Sequence, residues 1–138
     1  MNFKIVNFST DCPKGFILLG SFCYSFIQHQ LTWHNAVHNC RSLGAFLAEP
    51  WTKQLNNHVK NLFHANGGRD VWLGATDFEH GHWRWEYSMA RLGEFSDWHS
   101  SSNTRNNQHC LQLWNNGSKW DDVECETPHY SICQTGKF

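Results

Sequence analysis

Six cysteines constrain what this 138-residue chain can fold into more than any other feature of it. They stand at Cys12, Cys23, Cys40, Cys110, Cys125 and Cys133, and none forms a C-x-x-C pair. Zinc ribbons and dithiol redox motifs are built on such pairs, so both are disfavoured. An even number of well-separated cysteines reads as three disulfides, which persist in oxidising compartments. The expectation is therefore a secreted, extracellular protein. Two N-x-S patterns, at Asn7 and Asn116, fit the glycosylation of such proteins, although patterns this short also arise by chance. The opening stretch, MNFKIVNFST, lacks the apolar core of a secretory signal. Either a signal has been removed ahead of it or the chain never had one, and the cysteines favour removal. Six cysteines can pair in fifteen ways, and spacing alone selects none of them.

The length suits one domain with one hydrophobic core, expected to occupy residues 1–138. A formal net charge of −1 and the absence of any Lys/Arg run give no field that would draw nucleic acid or an anionic membrane. No apolar stretch approaches the length needed to span a bilayer, so membrane insertion is not expected. Eight Trp is a high count for this length, and most of them are expected to fill the core.

The local patterns give an order of elements. GFILLGSFCYSFI reads as a hairpin turning at Gly20 and Ser21, which a Cys12–Cys23 bridge could close. LTWHNAVHNCRSLG reads as a helix capped by Thr32 and stopped by Gly44, with Trp33, Ala36, Val37, Cys40 and Leu43 on its buried side. A second helix follows, capped by Thr52, buried through Leu55, Val59, Leu62 and Phe63, and ended by Gly67 and Gly68. VWLGA is a short buried strand, and HWRWEY sets Trp83 and Trp85 on one face of another. From 93 to 107 periodicity fades into Ser, Asn and Gly loop chemistry. HCLQLW, KWDD and YSICQ then read as three late strands. The fold class is α+β: two helices early, a compact antiparallel sheet late, and a long loop inserted between.

These residues resemble the C-type lectin-like domain in its long form. VWLGA resembles that family's Trp-Ile-Gly-Leu core motif, with Trp72, Leu73 and Gly74 in register; Trp120, Asp121 and Asp122 ahead of Cys125 resemble its Trp-Asn-Asp signature. FLAEP at 46–50 is similar to a phrase common in invertebrate, especially molluscan, members. The resemblance runs from about Cys12 to Cys133, and it implies the pairing Cys12–Cys23, Cys40–Cys133 and Cys110–Cys125.

It also implies where a ligand would sit, and here the chain departs from the pattern. Calcium-dependent members hold Ca²⁺ with a Glu-Pro-Asn or Gln-Pro-Asp triplet, a Glu two residues before a loop cysteine, and the Asn-Asp pair. A hard ion needs six to eight oxygens, several of them anionic. In this sequence the triplet falls within 101–104, which has no Glu, Gln or Pro; the Glu becomes Gln108, and His109 stands where Asp is common. Only Asp121 and Asp122 remain as weak metal candidates. No cofactor is expected, with calcium at most weakly held.

Sugar binding does not require the ion. Carboxylates and amides exchange hydrogen bonds with hydroxyls, and aromatic faces accept C–H surfaces. Trp98, Asn103, Arg105, Asn107, Gln108, His109, Asp121 and Asp122 form the candidate carbohydrate site. An acetamido group suits such a kit, so glycans containing GlcNAc or GalNAc are the expected partners. A homodimer would add avidity to a single weak site per chain. The expected function is a secreted lectin of invertebrate innate defence or adhesion, calcium-independent or weakly calcium-dependent. The alternatives are a protein-binding domain of the same fold and a surface-active member that meets ice or mineral.

Catalysis is not expected. His34 and His38 stand one helical turn apart, as in H-E-x-x-H proteases, but Asn35 replaces the general base. His80 and His82 flank a turn. No serine has nucleophile-elbow context, and every cysteine is assigned to a bridge. Asp121 and Asp122 are adjacent on a strand and so point to opposite faces, a poor start for a paired-carboxylate glycosidase.

Overall fold

The computed structural model describes residues 11–78, 81–99 and 107–136. Asn103, Arg105 and the 101–104 stretch lie outside the described residues, as do Asn7 and His80.

Helix α1 (Trp33–Ser42) begins where Thr32, in extended conformation, accepts a hydrogen bond from the Asn35 N–H. Helix α2 (Lys53–Ala65) begins in the same way, with Thr52 accepting from the Leu55 N–H. Each buries one stripe: Trp33, Ala36 and Cys40 on α1, and Asn56, Val59 and Phe63 on α2. Two details differ from the periodic reading. Leu43 is 45% exposed, because it occupies the C-cap of α1, where helical geometry has ended. On α2 a polar residue, Asn56, shares the buried stripe with Val59 and Phe63, and Leu55 and Leu62 flank it half-buried.

The strands are β1 (Ile17–Leu19), β2 (Phe22–Leu31), β3 (Phe46–Leu47), β4 (Val71–Thr76), β5 (Arg84–Trp85), β6 (Cys110–Leu113), β7 (Trp120–Val123) and β8 (His129–Gly136). Their path through the sheet is β1-β2-β8-β4-β6-β7, with β3 added to β8 and β5 to β4. Among the strand pairs of the described residues, only β4–β8 is parallel, and a single parallel bridge joins Trp98 to Trp120. The expected HWRWEY strand is just two residues long, and β3, which has no signal of its own, exists through its pairing with Gln134 and Cys133.

β4 is buried on both faces, which explains its continuous apolar run. Gly74 in its middle lies against the end of β3: a Cβ there would come within 2.6 Å of the Leu47 carbonyl oxygen. The Gly74 N–H donates to the Ala48 carbonyl at 2.8 Å across the same contact. Beside it, Glu49 is fully buried and accepts from Trp51 Nε1 and from the Tyr87 and Ser88 N–H groups. Burial raises its pKa, and these donors partly offset the effect.

Two apolar clusters fill the interior. One gathers Val59, Phe63, Leu73, Trp85, Leu111, Trp120 and Ile132; the other packs Trp33 and Ala36 against Trp72 and two bridges. The three disulfides are Cys12–Cys23, Cys40–Cys133 and Cys110–Cys125. The first closes the β1–β2 hairpin, the second ties α1 to β8, and the third ties β6 to the chain beyond β7.

Candidate functional site

β7 carries the two candidate carboxylates and is held from three sides. Across the ladder, Asp121 stands opposite Gln112 and Asp122 opposite Leu111. From below, fully buried Trp120 donates from Nε1 to Asn56 Oδ1 of α2 at 3.0 Å. On its outer edge the Trp120 N–H donates to the Asp97 carbonyl, and Trp120's own carbonyl accepts from the His99 N–H, both at 2.8 Å. The chain over 97–99 is thus laced alongside β7. Asp121 and Asp122 are 4% and 1% exposed, and Gln112 Nε2 donates to Asp121 Oδ2 at 3.2 Å.

A third carboxylate, which the sequence did not single out, organises this corner. Asp97 accepts from Asn56 Nδ2 at 2.9 Å and pairs with Lys60 at 2.7 Å and Lys119 at 3.0 Å. Burial alone would raise its pKa, but Lys60, Lys119 and Asn56 outweigh it and hold the carboxyl below its ordinary value. Its partners lie far away in the chain, so no local pattern could have marked it.

Trp98 is half-buried, its ring edge-on to Trp83 at 5.0 Å and to Trp120 at 5.9 Å. Most of its contact is with the core. Asn107 is exposed and has φ 67°, a left-handed conformation that asparagine tolerates better than most residues. Gln108 Oε1 is buried with no hydrogen-bond partner among the described residues. A buried acceptor left without a donor is costly, so this atom needs an explanation.

His109 turns away from β7. Its Nδ1–H donates to Asp77 Oδ1 at 2.7 Å, and its ring lies 5.7 Å from Phe78. It lines a cavity of about 460 Å³ with Asn107, His34, Phe78, Glu124 and Glu126, and neither Asp121 nor Asp122 reaches it. The candidate residues are therefore divided. Trp98, Asp121 and Asp122 belong to the β7 corner, whereas Asn107 and His109 face a separate groove. Asp77 and Phe78, which follow β4 directly, were missed because strand patterns do not show what lies beyond the strand end. Among the described residues, no three His, Cys, Asp or Glu side chains come together in a way that could hold a metal ion.

Residues 29–135 match the family model of the lectin C-type domain. Lithostathine-2 of Mus musculus is 31% identical over 130 residues, covering 90% of this chain and 75% of that protein. A perlucin-like protein of Mytilus galloprovincialis is 29% identical, covering 85% of this chain and 78% of that one. Among solved structures, the calcium-free form of a Ca²⁺-dependent type II antifreeze protein superposes with a TM-score of 0.80 at 30% identity, over 90% of this chain and 99% of that one.

Proposed function

This chain belongs to the family of lectin C-type domains, and from that premise we propose that it is a secreted glycan-binding lectin whose primary site works without calcium or with only weak calcium dependence. It is read as one domain over 1–138, with its core at about 12–133. The observation that carries the calcium reading is the Asp77–His109 contact at 2.7 Å. Where the family commonly has a carboxylate, an imidazole occupies the position and already satisfies the neighbouring acid. Gln108, two residues before Cys110, is neutral as well. A hard cation would find few anionic oxygens here.

The sugar then has to be held by direct hydrogen bonds. Asp121 and Asp122 supply carboxylate acceptors, one oxygen of Asp121 already taking a bond from Gln112 Nε2, and Gln108 Oε1 is an acceptor with no partner among the described residues. Trp98, Asn103 and Arg105 complete the candidate set, whereas Asn107 and His109, read into the same set from the sequence, line the separate groove. An acetamido group brings an N–H for a carboxylate and a methyl for an aromatic ring, so N-acetylated hexoses are favoured over plain ones. With one site of this kind per chain, a homodimer would supply avidity. No catalytic step is assigned to the domain, and innate defence in an invertebrate is the setting proposed for it.

The test is a glycan array run with calcium and with chelator on wild type, Asp121→Asn and Asp122→Asn, with thermal melts to check that each variant folds. Chelator-resistant binding to N-acetylhexosamines, weakened about ten- to a hundredfold by either substitution, is the expected result. Loss of wild-type binding in chelator would overturn the metal-free mechanism. A second reading, binding to an ice or mineral surface, draws on the similarity to the antifreeze protein. Ice-growth and mineral-growth assays separate it from sugar binding, and silence in all of these assays would favour a protein partner.

A further inference from the structure

The groove beside the Cys110–Cys125 bridge is distinct from the β7 corner and has its own chemistry. Its floor is Phe78, an apolar ring left 51% exposed. That ring is nonetheless held in place. Trp33 meets it edge-on at 6.3 Å, His34 stacks on it at 5.8 Å and 22°, and His109 leans over it at 5.7 Å. His109 is itself anchored to Asp77, and His34 rides on the first turn of α1, whose Trp33 N–H donates to the Cys125 carbonyl at 3.0 Å. The opposite rim carries Glu124 and Glu126, both exposed, on a turn closed by the Thr127 N–H donating to the Glu124 carbonyl at 3.1 Å. Asn107 adds an amide at the end of the groove.

We infer that this groove is a second pyranose subsite, with Phe78 as the platform for a sugar ring and Glu124 and Glu126 as acceptors for its hydroxyls. The inference rests on the glycan-binding reading above and extends it to a surface that the β7 carboxylates do not touch. A fixed, half-exposed aromatic face offers a sugar's C–H surface a contact with little ordering cost. Carboxylates and imidazoles at the edge of such a face match equatorial hydroxyls, which both donate and accept. The cavity, about 460 Å³, falls within the roughly 300–1,000 Å³ typical of small-ligand clefts. A metal ion fits less well, because among the described residues no three His, Cys, Asp or Glu side chains converge closely enough to hold one.

The experiment is heteronuclear NMR on the isotopically labelled full chain. The probes are methyl glycosides of GlcNAc, GalNAc, galactose, glucose and mannose, together with the GlcNAc trimer. The reporters unique to the groove are the His34 imidazole and the Glu124 and Glu126 amides; those of the β7 corner are the Asp121 and Asp122 amides. At least one probe should move the groove reporters. Phe78→Ala should weaken that response about tenfold, Glu124→Gln with Glu126→Gln should weaken it too, and Asp121→Asn should leave it intact. Movement at β7 with a silent groove overturns the second subsite and leaves the primary reading standing. Movement in the groove alone supports the subsite and overturns the β7 placement. Silence at both, for every probe, overturns both.

Discussion

Trp120 of β7 and Asn56 of α2 are joined at 3.0 Å from indole N–H to amide oxygen, and both residues are buried. The other end of the Asn56 amide donates to Asp97 at 2.9 Å. One side chain therefore connects the helix, the strand that carries Asp121 and Asp122, and the chain that runs beside that strand. Replacing Asn56 with Ala would strand the indole N–H inside the core and remove one of the Asp97 bonds. A buried donor without a partner costs about 1–3 kcal/mol, so denaturant titration should show a loss of roughly 2–3 kcal/mol. Asn56→Asp keeps an acceptor for Trp120 but turns a donor toward Asp97 into a second negative charge, and should lose at least as much.

Asp97 predicts an acid limb in the stability curve. Its folded-state pKa lies below the ordinary carboxylate value, so the unfolded chain takes up its proton first as pH falls. The stabilisation is fully present above the unfolded pKa of about 3.9 and is lost as pH falls through the lower folded value. Stability measured against pH for wild type and Asp97→Asn should therefore diverge at neutral pH and converge below about pH 4. Added salt should narrow the gap at neutral pH, since the Lys119 partner is half-exposed and open to screening. Curves that stay parallel down to strong acid would show that Asp97 is not the titrating group.

Gly74 gives a steric prediction. An added methyl would meet the Leu47 carbonyl oxygen at 2.6 Å and the Glu49 side chain at 3.2 Å. The oxygen belongs to backbone within the sheet region and cannot swing aside as a flexible side chain would. Gly74→Ala should cost about 1–3 kcal/mol, the usual range for overpacking, and lower the melting temperature by several degrees. An unchanged melt would mean that the strand and the end of β3 can part without penalty.

These contacts mark what the sequence could and could not reveal. Both helix starts were legible because a threonine cap acts on a residue three positions away, and the hairpin was legible because its turn and strands are contiguous. β3 was not, since two residues become a strand only by meeting β8 almost ninety positions later in the chain. Asn56 sat unnoticed in an apolar stripe because its value depends on Trp120, distant in sequence. In the site, the chemistry of the 98–109 stretch could be read from residue types: neutral Gln108 and an imidazole at His109. That His109 would serve Asp77 and Phe78 instead of joining the β7 carboxylates follows from how the end of β4 meets the start of β6, which periodicity does not encode.

The Asp77–His109 pair yields the most direct test of how this domain relates to calcium. At 2.7 Å the imidazole N–H donates to the carboxylate, and Asp77 has little exposure through which to recruit other partners. Substituting His109→Asp would place two carboxylates against each other. Like charges at such a distance disfavour joint ionisation, and a divalent cation relieves the repulsion. In chelator this variant should be less stable than wild type. Millimolar calcium should then restore about 1 kcal/mol, as expected for an ion present at a few times its dissociation constant. The wild-type melt should be the same in calcium and in chelator, and His109→Asn, which adds no charge, should also be indifferent to the ion. Differential scanning calorimetry of the three proteins with calcium, magnesium and chelator reads all of this. A wild-type melt that rises with calcium and not with magnesium would mean that the ion is held by residues other than this pair. A His109→Asp melt that ignores calcium would show that the position is not what limits cation binding.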